Sequence, residues 1–284
     1  MRADYHVHTH FSDDSDYRME QVVEDAIALG IDELCFTDHV DYGVKKDADD
    51  PNPILMRVGD PEHPVMVPVA NVDYPLYYET IRGLQKSYGD RISLKLGLEF
   101  GVQRHTIDKY EKLFSSYPFD FIIMSVHEID DLEFWNQKYQ NGRTQREYNE
   151  GYYEALLELV HSYHSYSVLG HLDLIVRYDK AGVYPYKKVE PIIEEILKTV
   201  IADGKGIELN TSSHRYKLPD LTPSRDILRM YRQLGGEIIS IGSDSHEPHH
   251  LGAYIDESRE ILKSLGYKYF CTYEKMEPRF HALL

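Results

Sequence analysis

Seven times along this chain a short apolar run gives way to an amphipathic stretch, and each apolar run stops at a histidine, a carboxylate or an asparagine. The runs begin at Ala3, Glu33, Ser93, Phe119, Ser167, Gly206 and Ile238. The stretches between them read as helices. Arg18 to Leu29 sets Met19, Val22, Val23, Ala26 and Leu29 on one face and stops at Gly30. Further helices are predicted over 76–88, 106–116, 144–163, 189–202, 224–234 and 256–265. Alternating strands and helices need crossover connections, and so a parallel sheet. Such units, repeated over about 250 residues, fit a closed (β/α) barrel. The competing architecture is an open doubly wound sheet, which usually carries a glycine-rich first turn. Here the first turn carries His6 and His8 instead.

Residues 40–75 break the alternation. They hold six of the thirteen prolines, with Asp-Pro and Asn-Pro steps, and are predicted to be a loop or cap inserted after strand two. The expected organisation is one α/β domain over residues 1–284 with that insertion inside it. A last strand is predicted over 267–273.

The positions of the polar residues say more than their number. Strand one runs into His6 and His8, strand two into Asp38 and His39, strand three into Glu99, and strand four into His127. Strand five runs into His171, strand six into Asn210 and Thr211, and strand seven into Asp244 and His246. Taken singly, each has an ordinary explanation: a hydrogen-bonded histidine, a capping aspartate, an ion-paired glutamate, an Asx turn. In a barrel, however, the carboxyl ends of the strands converge on one face, where catalytic groups sit. One shared metal site explains all seven strand ends together. Histidine, aspartate and glutamate without cysteine suit Zn, Mn or Fe better than Ca or Mg. About eight donors exceed the needs of one four-coordinate ion, so two or three ions are implied.

Composition narrows the function. A formal charge of −17 argues against a generic nucleic-acid binder. It leaves room for a small phosphorylated substrate, because bound cations supply local positive charge. Cys35 and Cys271 are the only cysteines, so no disulfide framework or thiolate zinc site is expected, and Cys35 reads as packed. No apolar stretch approaches membrane-spanning length and no leader pattern opens the chain, so a soluble cytoplasmic protein is expected.

The segments His6-Val7-His8-Thr9, Thr37-Asp38-His39, Gly97-Leu98-Glu99, Ser125-Val126-His127, Gly170-His171-Leu172-Asp173 and Ser243-Asp244-Ser245-His246 resemble, in order, the polymerase and histidinol phosphatase (PHP) family of metal-dependent phosphoesterases. The run through Arg177-Tyr178, and the lack of a polymerase domain, resemble its stand-alone histidinol-phosphate phosphatase branch. The resemblance implies a distorted, TIM-like (β/α)7 barrel with a trinuclear site. It implies that His6, His8, Glu99 and Asp244 hold a first metal, His39 and His246 a second, and Glu99, His127 and His171 a third. Many relatives place a third histidine six residues after His8; this chain has Asp14 there, and its carboxylate is expected to ligate.

The implied reaction is hydrolysis of a phosphomonoester, with L-histidinol phosphate as the first candidate. A nucleotide, a phosphosugar or phosphotyrosine is the alternative. A hydroxide held between ions would attack phosphorus in line. Asp244 or His246 would manage the leaving-group proton. Arg177 is the expected phosphate clamp, since a guanidinium donates two parallel hydrogen bonds, with His214 and Arg215 as further candidates. Asp173 is expected to orient His171 or another ligand. Other classes are a metal-binding module without catalysis and an amidohydrolase-like barrel. The latter usually carries a bridging lysine, and no strand here ends in one.

Overall fold

The structure is a computed structural model that describes residues 1–58 and 65–283. Seven parallel strands lie side by side in chain order: β1 (Ala3–Val7), β2 (Glu33–Phe36), β3 (Ser93–Gly101), β4 (Phe121–Ser125), β5 (Val168–Leu169), β6 (Gly206–Asn210) and β7 (Ile239–Gly242). Their registers follow the apolar runs: Leu34 faces Leu94, Leu98 faces Ile122, and Leu209 faces Ile241. The helices between them are α1 (Met19–Ala28), α2 (Tyr74–Tyr88), α3 (Ile107–Ser116), α4 (Gln145–Ser162), α5 (Tyr186–Ala202), α6 (Arg225–Gln233) and α7 (Ile255–Ser264). Asp73 accepts from Leu76 N at 3.1 Å to start α2, and Thr144 and Glu147 form a capping box on α4. The expected face of α1 is buried at Met19, Val22, Val23 and Ala26, but Leu29, at the helix's carboxyl cap, is exposed.

The sheet closes by a bridge rather than a full ladder. Val7 pairs with Ser245, and His8 N donates to Ser245 O at 2.8 Å. Lower on the same seam a side chain does the joining: the two Asp4 carboxylate oxygens accept from Ser243 N at 2.8 Å and Gly252 N at 2.9 Å. This is the (β/α) barrel that the alternation predicted, with the distortion that the family resemblance implied. Its closure brings the histidines at the start of the chain against Asp244 and His246 near the end.

The predicted final strand is a hairpin, Tyr269–Glu274 with Glu277–Ala282. It covers the amino-terminal mouth of the barrel. Tyr273 packs 4.8 Å from the Phe121 ring, its amide donates to Tyr5 Oη at 2.7 Å, and Met276 N donates to Asp120 O at 2.9 Å. With that end filled, solvent enters from the carboxyl ends of the strands.

The insertion is more ordered than its prolines suggest. Ile54–Val58 pairs with Val65–Val69 in an antiparallel hairpin, with Leu55 opposite Pro68. A two-stranded ribbon has only edge strands, where a missing N–H costs little. Residues 59–64 lie outside the described residues. Among the described residues no helix is long and apolar enough to cross a membrane. Cys35 and Cys271 are both buried free thiols.

Gly97, in the middle of the sheet, is required by contact. A Cβ there would stand 2.7 Å from Cys35 Sγ and 2.8 Å from the carbonyl oxygens of Phe36 and Phe121. Gly97→Ala is expected to destabilise the fold by about 1–3 kcal/mol. At roughly 2–4 °C per kcal/mol, a thermal melt reads this as a fall of several degrees. An unchanged melting temperature would show that β3 shifts freely and that its packing on β2 and β4 is loose.

Candidate metal centre

At the carboxyl ends of the strands lies a cavity of about 880 Å³, lined by His39, Glu99, His127, His171, Asp244 and His246 among others. Glu99, at the carboxyl end of β3, is fully buried at its centre. Its Oε1 lies 2.8 Å from His171 Nε2 and 3.2 Å from His127 Nε2. Its Oε2 lies 3.2 Å from His6 Nε2, 3.5 Å from His8 Nε2 and 3.0 Å from His39 Nδ1. Asp244 Oδ1 sits 3.7 Å from His6 Nε2 and 3.6 Å from His8 Nε2. Asp14 Oδ2 lies 3.2 Å from His246 Nε2 and 3.6 Å from His39 Nε2. The structure thus gathers all nine expected ligands, Asp14 included, into one basin.

The donor atoms fit metal ions better than they fit each other. His6 Nε2, His8 Nε2, His39 Nδ1 and Glu99 Oε2 are buried, close together, and make no hydrogen bond. Buried polar atoms normally find partners. Here these atoms converge on the space between them instead. Within 4.8 Å of one another lie donors of His6, His8 and Asp244, of His6, Glu99 and His171, of His39, Glu99 and His127, and of His8, His39 and His246. Several overlapping triads, with one carboxylate shared among them, suit more than one ion.

The far sides of four of the rings are held as metal-bound imidazoles usually are, while His171 Nδ1 has no hydrogen-bond partner among the described residues. His6 Nδ1 meets Glu208 Oε1 at 2.5 Å and His127 Nδ1 meets Asp41 Oδ1 at 2.8 Å. His8 Nδ1 meets Ser12 Oγ at 3.2 Å, and His246 Nδ1 meets the Asp244 carbonyl at 3.0 Å. Glu208 and Asp41 were missed in the sequence. A glutamate in the buried apolar run Gly206-Ile-Glu-Leu, and an aspartate two positions after His39, were the available signals.

Electrostatics follow from this crowding. Burial pushes the Glu99 carboxyl up, but His6, His127 and His39 outweigh it and hold it well below the usual range. Burial likewise opposes Asp244, and Arg215, His6 and Arg177 hold it ionised. Burial, then His246, His39 and His6, keep the His8 imidazole well below its ordinary value.

The predicted substrate contacts divide. Arg177 lines the cavity, with Nη2 2.6 Å from Ser212 Oγ and 3.2 Å from Asp244 Oδ2, and its guanidinium lies 4.2 Å over the Tyr216 ring. Arg215 has other work: it donates to Ser243 O at 2.7 Å and Asp244 O at 2.5 Å. It thereby pins the loop in which Asp244 has a left-handed φ of 55°. His214 stacks on Tyr254 with ring centroids 4.1 Å apart, and neither it nor Arg215 is among the cavity-lining residues. Asp173 does not orient His171; it accepts from Ser224 N at 2.8 Å ahead of α6. Asp38 accepts from Thr9 N at 2.6 Å and Ser12 Oγ at 2.7 Å, and Asn210 caps Ser212 N at 3.0 Å and donates to Glu208 Oε2 at 3.2 Å, so each supports residues around the cluster.

The sequence profile of the PHP domain matches residues 4–212. The chain belongs to the PHP family. It is 31% identical over 282 residues to the histidinol-phosphatase of Lactococcus lactis subsp. lactis, covering 97% of this chain and 96% of that one. It is 27% identical to a probable histidinol-phosphatase of Thermotoga maritima, covering 95% and 94%. The crystal structure of histidinol phosphate phosphatase from Lactococcus lactis, complexed with zinc, L-histidinol and phosphate, matches with a TM-score of 0.80 at 29% identity, over 98% of both chains. The PHP profile ends before Asp244 and His246. Barrel closure, with Val7 bridged to Ser245, is what joins them to the PHP site.

Proposed function

We propose that the chain is a metal-dependent phosphomonoesterase that hydrolyses L-histidinol phosphate to L-histidinol and phosphate, a step of histidine biosynthesis in the cytoplasm. The observation that carries this is the buried, mutually unbonded donor cluster beside a cavity-lining guanidinium, in a chain matched end to end with a histidinol-phosphatase. We assign His6, His8, Glu99 and Asp244 to a first ion, His39, His246 and Asp14 to a second, and Glu99, His127 and His171 to a third, with zinc foremost and manganese or iron as alternatives. Divalent ions there neutralise phosphate oxygens and make hydroxide available near neutral pH.

The chain's own groups do the rest. Arg177 binds the phosphate oxygens through a guanidinium already oriented by Ser212 and the Tyr216 ring. Burial opposes the charge on Asp244, but Arg215, His6 and Arg177 hold it ionised, so it offers an anionic oxygen to a cation rather than a proton to the leaving group. Asp131 and Glu133 also line the cavity, and acidic side chains there suit a leaving alcohol that carries an amine.

The test is turnover of L-histidinol phosphate against a nucleoside monophosphate, a sugar phosphate and phosphotyrosine. A kcat/KM at least about 100-fold higher for L-histidinol phosphate is expected. Equal rates across the panel, or none with L-histidinol phosphate, would move the assignment to another phosphoester. Arg177→Ala is expected to lower kcat/KM by about 100-fold, close to 3 kcal/mol, and to weaken product inhibition by phosphate in parallel. Loss of turnover with phosphate inhibition intact would place the clamp elsewhere.

A further inference from the structure

Behind the donor cluster, inside the barrel, the Glu208 carboxylate on β6 is completely buried. Its Oε1 lies 2.5 Å from His6 Nδ1, while its Oε2 accepts from His171 N at 2.9 Å and from Asn210 Nδ2 at 3.2 Å. The side chain therefore reaches two histidines from different strand ends, one through its ring and one through its peptide. His171 needs that hold: its φ of 21° lies outside the regions a non-glycine residue prefers. Space for the carboxylate is kept open by Gly242, where a Cβ would stand 2.6 Å from Glu208 Oε1 and 2.3 Å from His6 Cβ.

We propose that Glu208 is a positioning residue for two metal-ligating histidines at once. It holds His6 with its proton on Nδ1, so that the Nε2 lone pair faces the cluster, and it fixes the strained peptide that aims His171 Nε2 at Glu99. The inference rests on the metal-site reading above. The geometry separates it from a plain buried ion pair. An ion pair would engage His6 alone and would not need both oxygens, whereas here the second oxygen is committed to the His171 amide. Carboxylates that orient metal-bound imidazoles typically change metal affinity by about 10–100-fold when lost.

Glu208→Gln keeps the volume but replaces one acceptor oxygen with an NH₂ group, which cannot serve both His6 Nδ1–H and the His171 amide. Zinc affinity, read by competition with a chromophoric chelator, is expected to fall about 10–100-fold with far-UV circular dichroism unchanged. A second measurement reads the position of the His6 proton directly. In the zinc-loaded wild type, ¹⁵N-histidine spectra should show His6 with a strongly downfield proton on Nδ1. That signal should be lost or moved upfield in Glu208→Gln. A wild type that binds no zinc overturns the metal-site reading and this inference with it. A wild type that binds zinc with the His6 proton on Nε2, or a Glu208→Gln protein with wild-type zinc affinity, overturns this inference alone.

Discussion

Glu99→Gln is expected to lower kcat/KM for phosphomonoester hydrolysis by about 1,000-fold or more, some 4 kcal/mol of transition-state stabilisation. The size follows from how many groups share this one carboxylate. Its oxygens lie within 3.5 Å of nitrogens on His6, His8, His39, His127 and His171. A carboxylate offers two acceptor oxygens to cations, whereas glutamine offers one oxygen and an NH₂ that repels them. The amide nitrogen must face either the His127 and His171 pair or the His6, His8 and His39 group, so neither orientation preserves the cluster. Bound metal, measured by elemental analysis after dialysis, should fall with activity. Circular dichroism should stay the same, because the change keeps the side-chain volume and leaves the buried neighbours Leu98, Phe100, Ile122 and Ile123 in place. The control is Glu274→Gln on the exposed hairpin at the opposite mouth, which should leave both readouts unchanged. A Glu99→Gln protein with wild-type turnover and metal content would sink the proposed centre.

The histidines of this centre were legible in the sequence because barrel topology turns chain position into spatial position. A residue just past a strand end lands on the rim whatever the helices between do, so His6, His39, His127, His171 and His246 could be gathered before any contact was known. Asp14 was legible only through the family resemblance, at the position where many relatives carry a histidine. What escaped were the groups whose role depends on side-chain direction. Glu208 and Asn210 lie two positions apart in β6, and the sequence marked the one at the strand end. The strand interior supplied the carboxylate, and Asn210 became a cap. Arg177 was the expected phosphate clamp, with Arg215 a further candidate. The structure turns Arg215 toward the Ser243 and Asp244 carbonyls and leaves Arg177 on the cavity wall. The hairpin in the insertion was hidden by proline content, which forbids a central strand but not a two-stranded ribbon.

Metal binding is expected to release protons at neutral pH, and its stabilising effect to grow as pH rises. In the ion-free protein burial lowers the His39 imidazole, but Asp14 and Glu99 outweigh it and raise it to about 10. His6 is likewise raised against burial by Glu208, Glu99 and Asp244, and His127 by Glu99 and Asp41. These three rings carry protons at pH 7, whereas a ligand must offer a lone pair, so ions and protons compete for the same atoms. The sign for the ion-free fold follows from the raised value. His39 stabilises fully below its unfolded pKa of about 6.5, and that contribution is lost as pH climbs through about 10. Ion binding goes the other way, tightening as the rings deprotonate. The gap in melting temperature between zinc-loaded and chelator-treated protein should therefore widen from pH 6 to pH 9. An ion at 1,000 times its Kd adds about 4 kcal/mol. At roughly 2–4 °C per kcal/mol, that is a gap on the order of 10 °C for one site. Titration calorimetry in buffers of different ionisation enthalpy counts the released protons directly. A binding heat independent of buffer, or a gap that narrows with rising pH, would mean that the rings facing Glu99 are already neutral, and that zinc displaces nothing when it enters the basin.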